Sequence, residues 1–218
     1  MRREPLVALG AVTLAVGFLS AGHSLALPRE EAILPIESHM ADTRALAETH
    51  IRELHGLYAD LPRCVTGVGV ERHGIGFRRP RGNPAAPPSL TLWVWLVGDQ
   101  PPRGADLTAR AGTAFRRYGQ PLFRQLVARS AVFADARVGG YGLVLTWLGP
   151  ARREGRLVGE SLAVFADKIT AANFAHDTIA PTVFLTRSDV RAFDGQTELG
   201  SLRVSVEDDG TLVVAPGC

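Results

Sequence analysis

Hydrophobic positions along the chain fall into one unbroken run, two stretches at helical spacing and several short β-branched stretches. The unbroken run is 6–19 (LVALGAVTLAVGFL). The first helical stretch is 38–60, where Ala47, Ile51, Leu54, Tyr58 and Leu61 recur at steps of four and three, with Glu48, Arg52, His55 and Ala59 on the other side. Pro62 is expected to end that helix. The second is 105–128, with Leu107, Ala111, Phe115, Tyr118, Leu122 and Leu126 on one stripe. Pro121 should kink or divide it.

The strand pattern is shorter in range. Residues 64–77 suggest a strand pair around Arg72, His73 and Gly74, with glycines that can mark bulges. Residues 90–97 (LTLWVWLV) are β-branched and aromatic, which predicts a strand buried on both faces in mid-sheet. Residues 141–148 and 157–165 predict two more strands, followed by a short helix at 168–176. Further strands are expected near 182–186, 190–193, 202–207 and 211–214, with turns at Asp194-Gly195 and Asp209-Gly210. Residues 27–36, with Pro28 and Pro35, read as an extended lead. Residues 78–89 (RRPRGNPAAPPS) form a basic, proline-rich loop whose composition predicts a mobile surface excursion. The fold class expected is α+β: a mostly antiparallel sheet with one long helix on a face, preceded by an N-terminal helix.

The apolar run changes the picture of where the protein works. Arg2 and Arg3 precede it, and Ser24 and Ala26 sit at the positions of a small-residue cleavage site. A basic end, a short apolar centre and small residues describe a secretory signal peptide, 1–26, cut after Ala26 or, as second choice, after Gly22. The remainder, 27–218, then forms a single α+β domain. The expected location is periplasmic or extracellular. The rival reading keeps the run from Leu6 to Gly22 as an uncleaved anchor in the inner membrane, facing outward, since no charge occurs between Pro5 and Pro28. Twin-arginine export fits less well, because Glu4 and Pro5 follow the arginine pair.

With 218 residues, 46% apolar and 21% charged, the chain has enough apolar material for one core and too much for disorder. A formal charge of +2 gives no argument for nucleic acid as a partner. The two cysteines, Cys64 and Cys218, follow the export segment, and an isolated pair in an oxidising compartment favours a disulfide. Closing a loop of about 150 residues stabilises by up to about 5 kcal/mol on the chain-entropy model.

Candidate chemistry is sparse. His39, His50 and His55, with Glu48 and Glu53, are ligand types on or near the first helix. His50 and His55 lie five apart, so they point in different directions, and H-E-x-x-H is absent; they read as scattered surface histidines. His176 and Asp177 are weak catalytic candidates for acid–base work, without G-x-S-x-G or another placed nucleophile. The alternative for them is to support a helix end and start a turn. Gly67, Gly69, Gly74 and Gly76 make no dinucleotide fingerprint and no phosphate-loop lysine follows, so no cofactor is expected; Lys168 is the single lysine. Arg110, Arg117 and Arg124 recur every seven residues and, with Arg116, Arg78, Arg79 and Arg81, offer an anionic-partner face for lipid head groups or an acidic partner; a solvated helix face is the alternative. Trp93, Trp95 and Trp147 fall on strands and read as core rather than as a ligand platform.

Two function classes follow. The first is an exported bacterial-type protein acting as a non-catalytic interaction, assembly or ligand-binding module, its partner an envelope protein or a small ligand, with membrane-surface contact open. The second is an exported hydrolase-like enzyme using His176 and nearby carboxylates. An anchored accessory protein is a variant of the first.

Overall fold

The computed structural model describes residues 28–79, 85–97, 104, 106–153, 156–194 and 197–201. The export segment, most of the basic loop, Cys218 and the strands expected at 202–207 and 211–214 lie outside these residues.

The chain enters through α1 (Arg29–Ala32) and a 3-10 turn (Ile36–Ser38), so the expected extended lead is interrupted by a helical turn. Between them Ile33 forms a parallel bridge with Ile75. The first long helix is two helices, α2 (Ala41–Thr49) and α3 (Ile51–Cys64). His50, at φ −109° and ψ 22°, breaks them and turns its ring inward. Pro62 does not end α3. A proline this near a helix end forfeits one ladder bond, and Val65 N still closes the last turn on Leu61 O at 2.9 Å.

Strand β1 (Val68–Arg78) is one strand, not a pair. Its pairing with β2 (Ser89–Leu96) shifts register between Val70 and Ile75, where His73 takes φ 55°. The residues expected to turn a hairpin instead form a bulge. Helix α4 (Leu107–Val127) is capped by the Asp106 carboxylate, which accepts from Ala109 N at 2.8 Å. It runs unbroken through Pro121. An interior proline costs about 3 kcal/mol; here Pro121 lies within a buried run from Tyr118 to Phe123, and that packing offsets the loss. The rest is α5 (Ser130–Ala134), β3 (Gly140–Arg153), β4 (Arg156–Asp167), α6 (Lys168–Ala175), α7 (Pro181–Thr186), β5 (Asp189–Asp194) and β6 (Thr197–Ser201). Helix α7 replaces the strand expected at 182–186. Pro181 at its first turn presets helical φ, and Phe184 is fully buried.

The fold is α+β. Among the described residues six strands form one sheet in the order β1-β2-β3-β4-β5-β6. Every neighbouring pair is antiparallel except β2 and β3, which are parallel and joined through α4 and α5. Register assigns the two faces. Leu92, Leu143, Val164 and Val190 form one row and Val94, Leu145, Leu162 and Ala192 another, all buried. The helices cover this face. Phe115 and Phe123 of α4 meet Phe174 of α6 and Phe184 of α7, with the Phe174 and Phe184 rings stacked at 4.1 Å.

The opposite face holds the row Trp93, Val144, Ala163 and Arg191. None of these four belongs to the core cluster. Strand β2 is therefore not buried on both faces: Trp93 is 39% exposed, while Trp147 on the covered face is 1% exposed. Val97 and Leu148 continue this side in step with Trp93, Trp95 and Val144, and are 44% and 41% exposed.

Candidate functional site

The histidines expected on the surface divide. His39 and His50 are buried, at 4% and 5% exposed. The break between α2 and α3 points the His50 ring at the turn after α5, where Nε2 donates to Asp135 Oδ2 at 2.8 Å; its face tilts against Phe77. Asp135 also accepts from Arg137, at 2.6 Å to Oδ2. Arg137 beside it, and His50 after that, hold its carboxyl well below the ordinary range against the opposing effect of burial. Lys168 completes the cluster, its Nζ donating to the carbonyls of Phe133 (2.7 Å) and Asp135 (2.6 Å). Burial lowers the Lys168 ammonium, and the Asp135 charge opposes that.

A buried histidine on a carboxylate has the look of acid–base machinery. The neighbouring hydroxyl does not fit it. Thr49 Oγ1 donates to Ala45 O at 2.7 Å, so it is turned along its own helix rather than to His50. The cluster ties the break between α2 and α3, the turn after α5 and the start of α6 together. Asp135 carried no signal in the sequence, because its partner lies 85 residues away. His55 takes a different role, accepting from Arg29 of α1.

His176 and Asp177 follow α6. His176 is exposed. Asp177, at φ 59°, is held by α4: Gln120 Nε2 donates to its Oδ1 and Arg124 Nη2 to its Oδ2 at 2.6 Å. Gln120 also donates to Phe174 O at 3.0 Å, and Arg124 Nε to Ala175 O at 2.8 Å. Gln120 and Arg124 thus satisfy carbonyls of the last turn of α6, and the Asp177 carboxylate just beyond it is engaged as the acceptor of the same two side chains.

The seven-residue arginine series does not form one solvated face. Arg110 is 7% exposed and makes a two-bond pair with Glu160 of β4, Nε to Oε2 at 2.8 Å and Nη2 to Oε1 at 2.6 Å. Trp147 Nε1 donates to the same Oε2 at 2.8 Å, and Arg110 Nη1 reaches Gly104 O at 3.2 Å. The Glu160 bonds raise the guanidinium further above its already high value. Arg117 is exposed, its guanidinium 5.2 Å from the Tyr118 ring centre, and Arg124 serves Asp177. In the loop, Arg79 pairs with Asp42 at 2.5 Å. Arg81 lies outside the described residues.

Among the described residues no group of three or more His, Cys, Asp or Glu side chains is placed to hold a metal ion, and no helix is long and apolar enough to cross a membrane. Cys64 ends α3 and packs against the core, with its expected partner Cys218 outside the described residues.

What the structure assembles outside these ties is the second sheet face. Trp93 and Trp95 of β2 and Val144 and Thr146 of β3 alternate outward there, and Trp93 Nε1 donates across the strands to Thr146 Oγ1 at 2.7 Å. The bond fixes an indole that is part apolar surface and part polar edge. Periodicity alone could not assign Trp93 and Trp147 to opposite sides, since both sit among aliphatic neighbours. No protein-family model, curated protein or solved structure matches this chain, so its functional reading rests on the arrangement of these side chains.

Proposed function

We propose that the chain is an exported, non-catalytic module that binds an apolar surface of an envelope protein with the uncovered face of its sheet. The observation that carries this reading is that face itself. Trp93, Val97 and Leu148 stand partly exposed together on one side of a sheet whose other side packs against the helices. Contiguous apolar groups of this kind mark interaction surfaces. Export is supported by the basic, apolar and small-residue succession at 1–26. A Cys64–Cys218 disulfide belongs to the same reading, because an oxidising compartment would make the bond persist.

The test places a photo-crosslinking residue at position 93 in the full chain, expressed in its own cells. The expected result is a recurring crosslinked envelope protein, lost on Leu148→Glu. Absence of any product at position 93, or a product unchanged by Leu148→Glu, refutes the face. Protein recovered from the membrane fraction with Met1 still present would favour the anchored variant. Two free thiols by mass under non-reducing conditions would remove the disulfide.

A further inference from the structure

We propose that the envelope partner brings a basic side chain into a notch over Gly69 on the open sheet face, where it pairs with Glu71 beside the indoles of Trp93 and Trp95. This rests on the sheet-face reading and adds the chemistry that the partner must carry.

The notch follows from the register. Gly69 of β1 stands opposite Trp95 of β2 on the open side, so the glycine leaves one flank of that indole bare. A Cβ built on Gly69 would meet Val97 Cγ2 at 3.4 Å and, among the described residues, nothing else within 4 Å. The space is reached from solvent, since the bordering Trp93 and Val97 are 39% and 44% exposed.

Glu71 closes one end of the notch. Val70 pairs with Val94 and packs against the core, so the residue after it turns to the open side. Strand β1 then takes five steps to Ile75 while β2 takes two, from Val94 to Leu92, and the excess bulges out opposite Trp93. A Cβ on Gly74, within that bulge, would collide with the carbonyl oxygens of both Trp93 and Glu71, which places the two backbones side by side.

The Glu71 carboxylate is half-buried and has no ion pair or side-chain hydrogen bond among the described residues. Burial alone raises its carboxyl, with no cation opposing. The neighbouring arginines are engaged elsewhere: Arg72 reaches toward Glu31 at 4.0 Å, and Arg78 donates to the carbonyl of His73. On the same face Arg191 is held by Asp189 at 3.0 Å.

Covering this face takes Glu71 further from water. A carboxylate buried without counter-charge is costly, so a wholly apolar contact is opposed here. A guanidinium or ammonium removes that penalty. It makes a charge-assisted hydrogen bond to Glu71 and lies beside indoles, whose π faces attract cations. The same carboxylate repels anionic head groups, which favours a basic protein segment over a lipid surface.

The experiment places a photo-crosslinking residue at position 97, bordering the notch, in the full chain expressed in its own cells. The wild-type background should give the envelope product already expected at position 93. Glu71→Gln should lower its yield about tenfold, and Glu71→Arg should abolish it. The crosslinked segment should contain an arginine or lysine; changing that residue to Glu should remove the product, and combining the change with Glu71→Arg should restore it. Purified Glu71→Gln should melt no lower than wild type, because no internal bond is lost. A product at 97 indifferent to both Glu71 variants, a crosslinked segment without a basic residue, or a product at 93 with none at 97 overturns the notch and leaves the sheet-face reading standing. A Glu71→Gln chain clearly less stable than wild type would reveal an internal partner and also overturns it. Absence of product at both positions overturns the reading and the notch with it.

Discussion

Replacing Glu160 by Ala tests whether the charge buried between α4 and β4 behaves as its geometry requires. Arg110 and Glu160 have side-chain exposures of 9% and 4%, and two bonds of 2.8 and 2.6 Å join them. The Ala variant strands the guanidinium in the core and takes the acceptor from the Trp147 indole, which held Glu160 at 2.8 Å. Breaking a buried pair by removing one partner costs about 3–5 kcal/mol. For a chain of this size that corresponds to a fall in Tm of about 6–20 °C. Glu160→Gln keeps an acceptor for the indole but removes the charge and turns the acceptor of Arg110 Nη2 into an amide donor, so it should lie between wild type and Glu160→Ala. The double replacement Arg110→Met with Glu160→Leu conserves volume and leaves only the indole N–H without its acceptor. It should fall within about 2 kcal/mol of wild type. Urea unfolding followed by circular dichroism, analysed as a double-mutant cycle, measures the coupling. A loss below about 1 kcal/mol in Glu160→Ala, or a double variant as unstable as the two singles added together, would refute the reasoning.

Asp135 offers a pH test. Its folded-state carboxyl is held below the ordinary value, so its stabilisation is complete above the unfolded-state value and is lost as pH falls below about 4. Asp135→Asn should lower the urea midpoint near pH 7 and flatten its decline in acid; an unchanged acid slope would show that the His50 and Arg137 contacts contribute nothing. Phe184→Ala removes a ring in contact with three others and should destabilise by about 3–5 kcal/mol, read by thermal denaturation. Trp93→Ala should cost under about 1.5 kcal/mol while Trp147→Ala costs about 3–5, since only the second ring is buried; equal losses would contradict the assignment of the two faces.

Much of the architecture was legible because it is local. The stripe from Leu107 to Leu126 repeats at helical spacing and is the buried stripe of α4, partly buried only at Leu107. The short helix at 168–176 and the strand at 190–193 match α6 and β5 within a residue or so. What escaped depends on partners far along the chain. His50 is turned inward by Asp135, Arg110 is drawn into the core by Glu160, and segment 181–186 is helical because Phe184 joins the ring cluster. Arg110, Arg117 and Arg124 show this most clearly: identical side chains at identical spacing are respectively buried, exposed and tied to a helix end. The open sheet face was hidden for a related reason. Alternation tells which residues share a side, but only the helices decide which side is covered.

The parallel pairing of β2 with β3 has a kinetic consequence. The pairings from β3 to β6 join strands next to one another in sequence, as does that of β1 with β2. Each group can assemble from neighbours within a short search. The seam between β2 and β3 cannot, for it must wait until the whole stretch from Leu96 to Gly140 has looped back, with α4 laid down on the way. The topology thus predicts two quick halves and one slow stitch, with the docking of α4 setting the tempo.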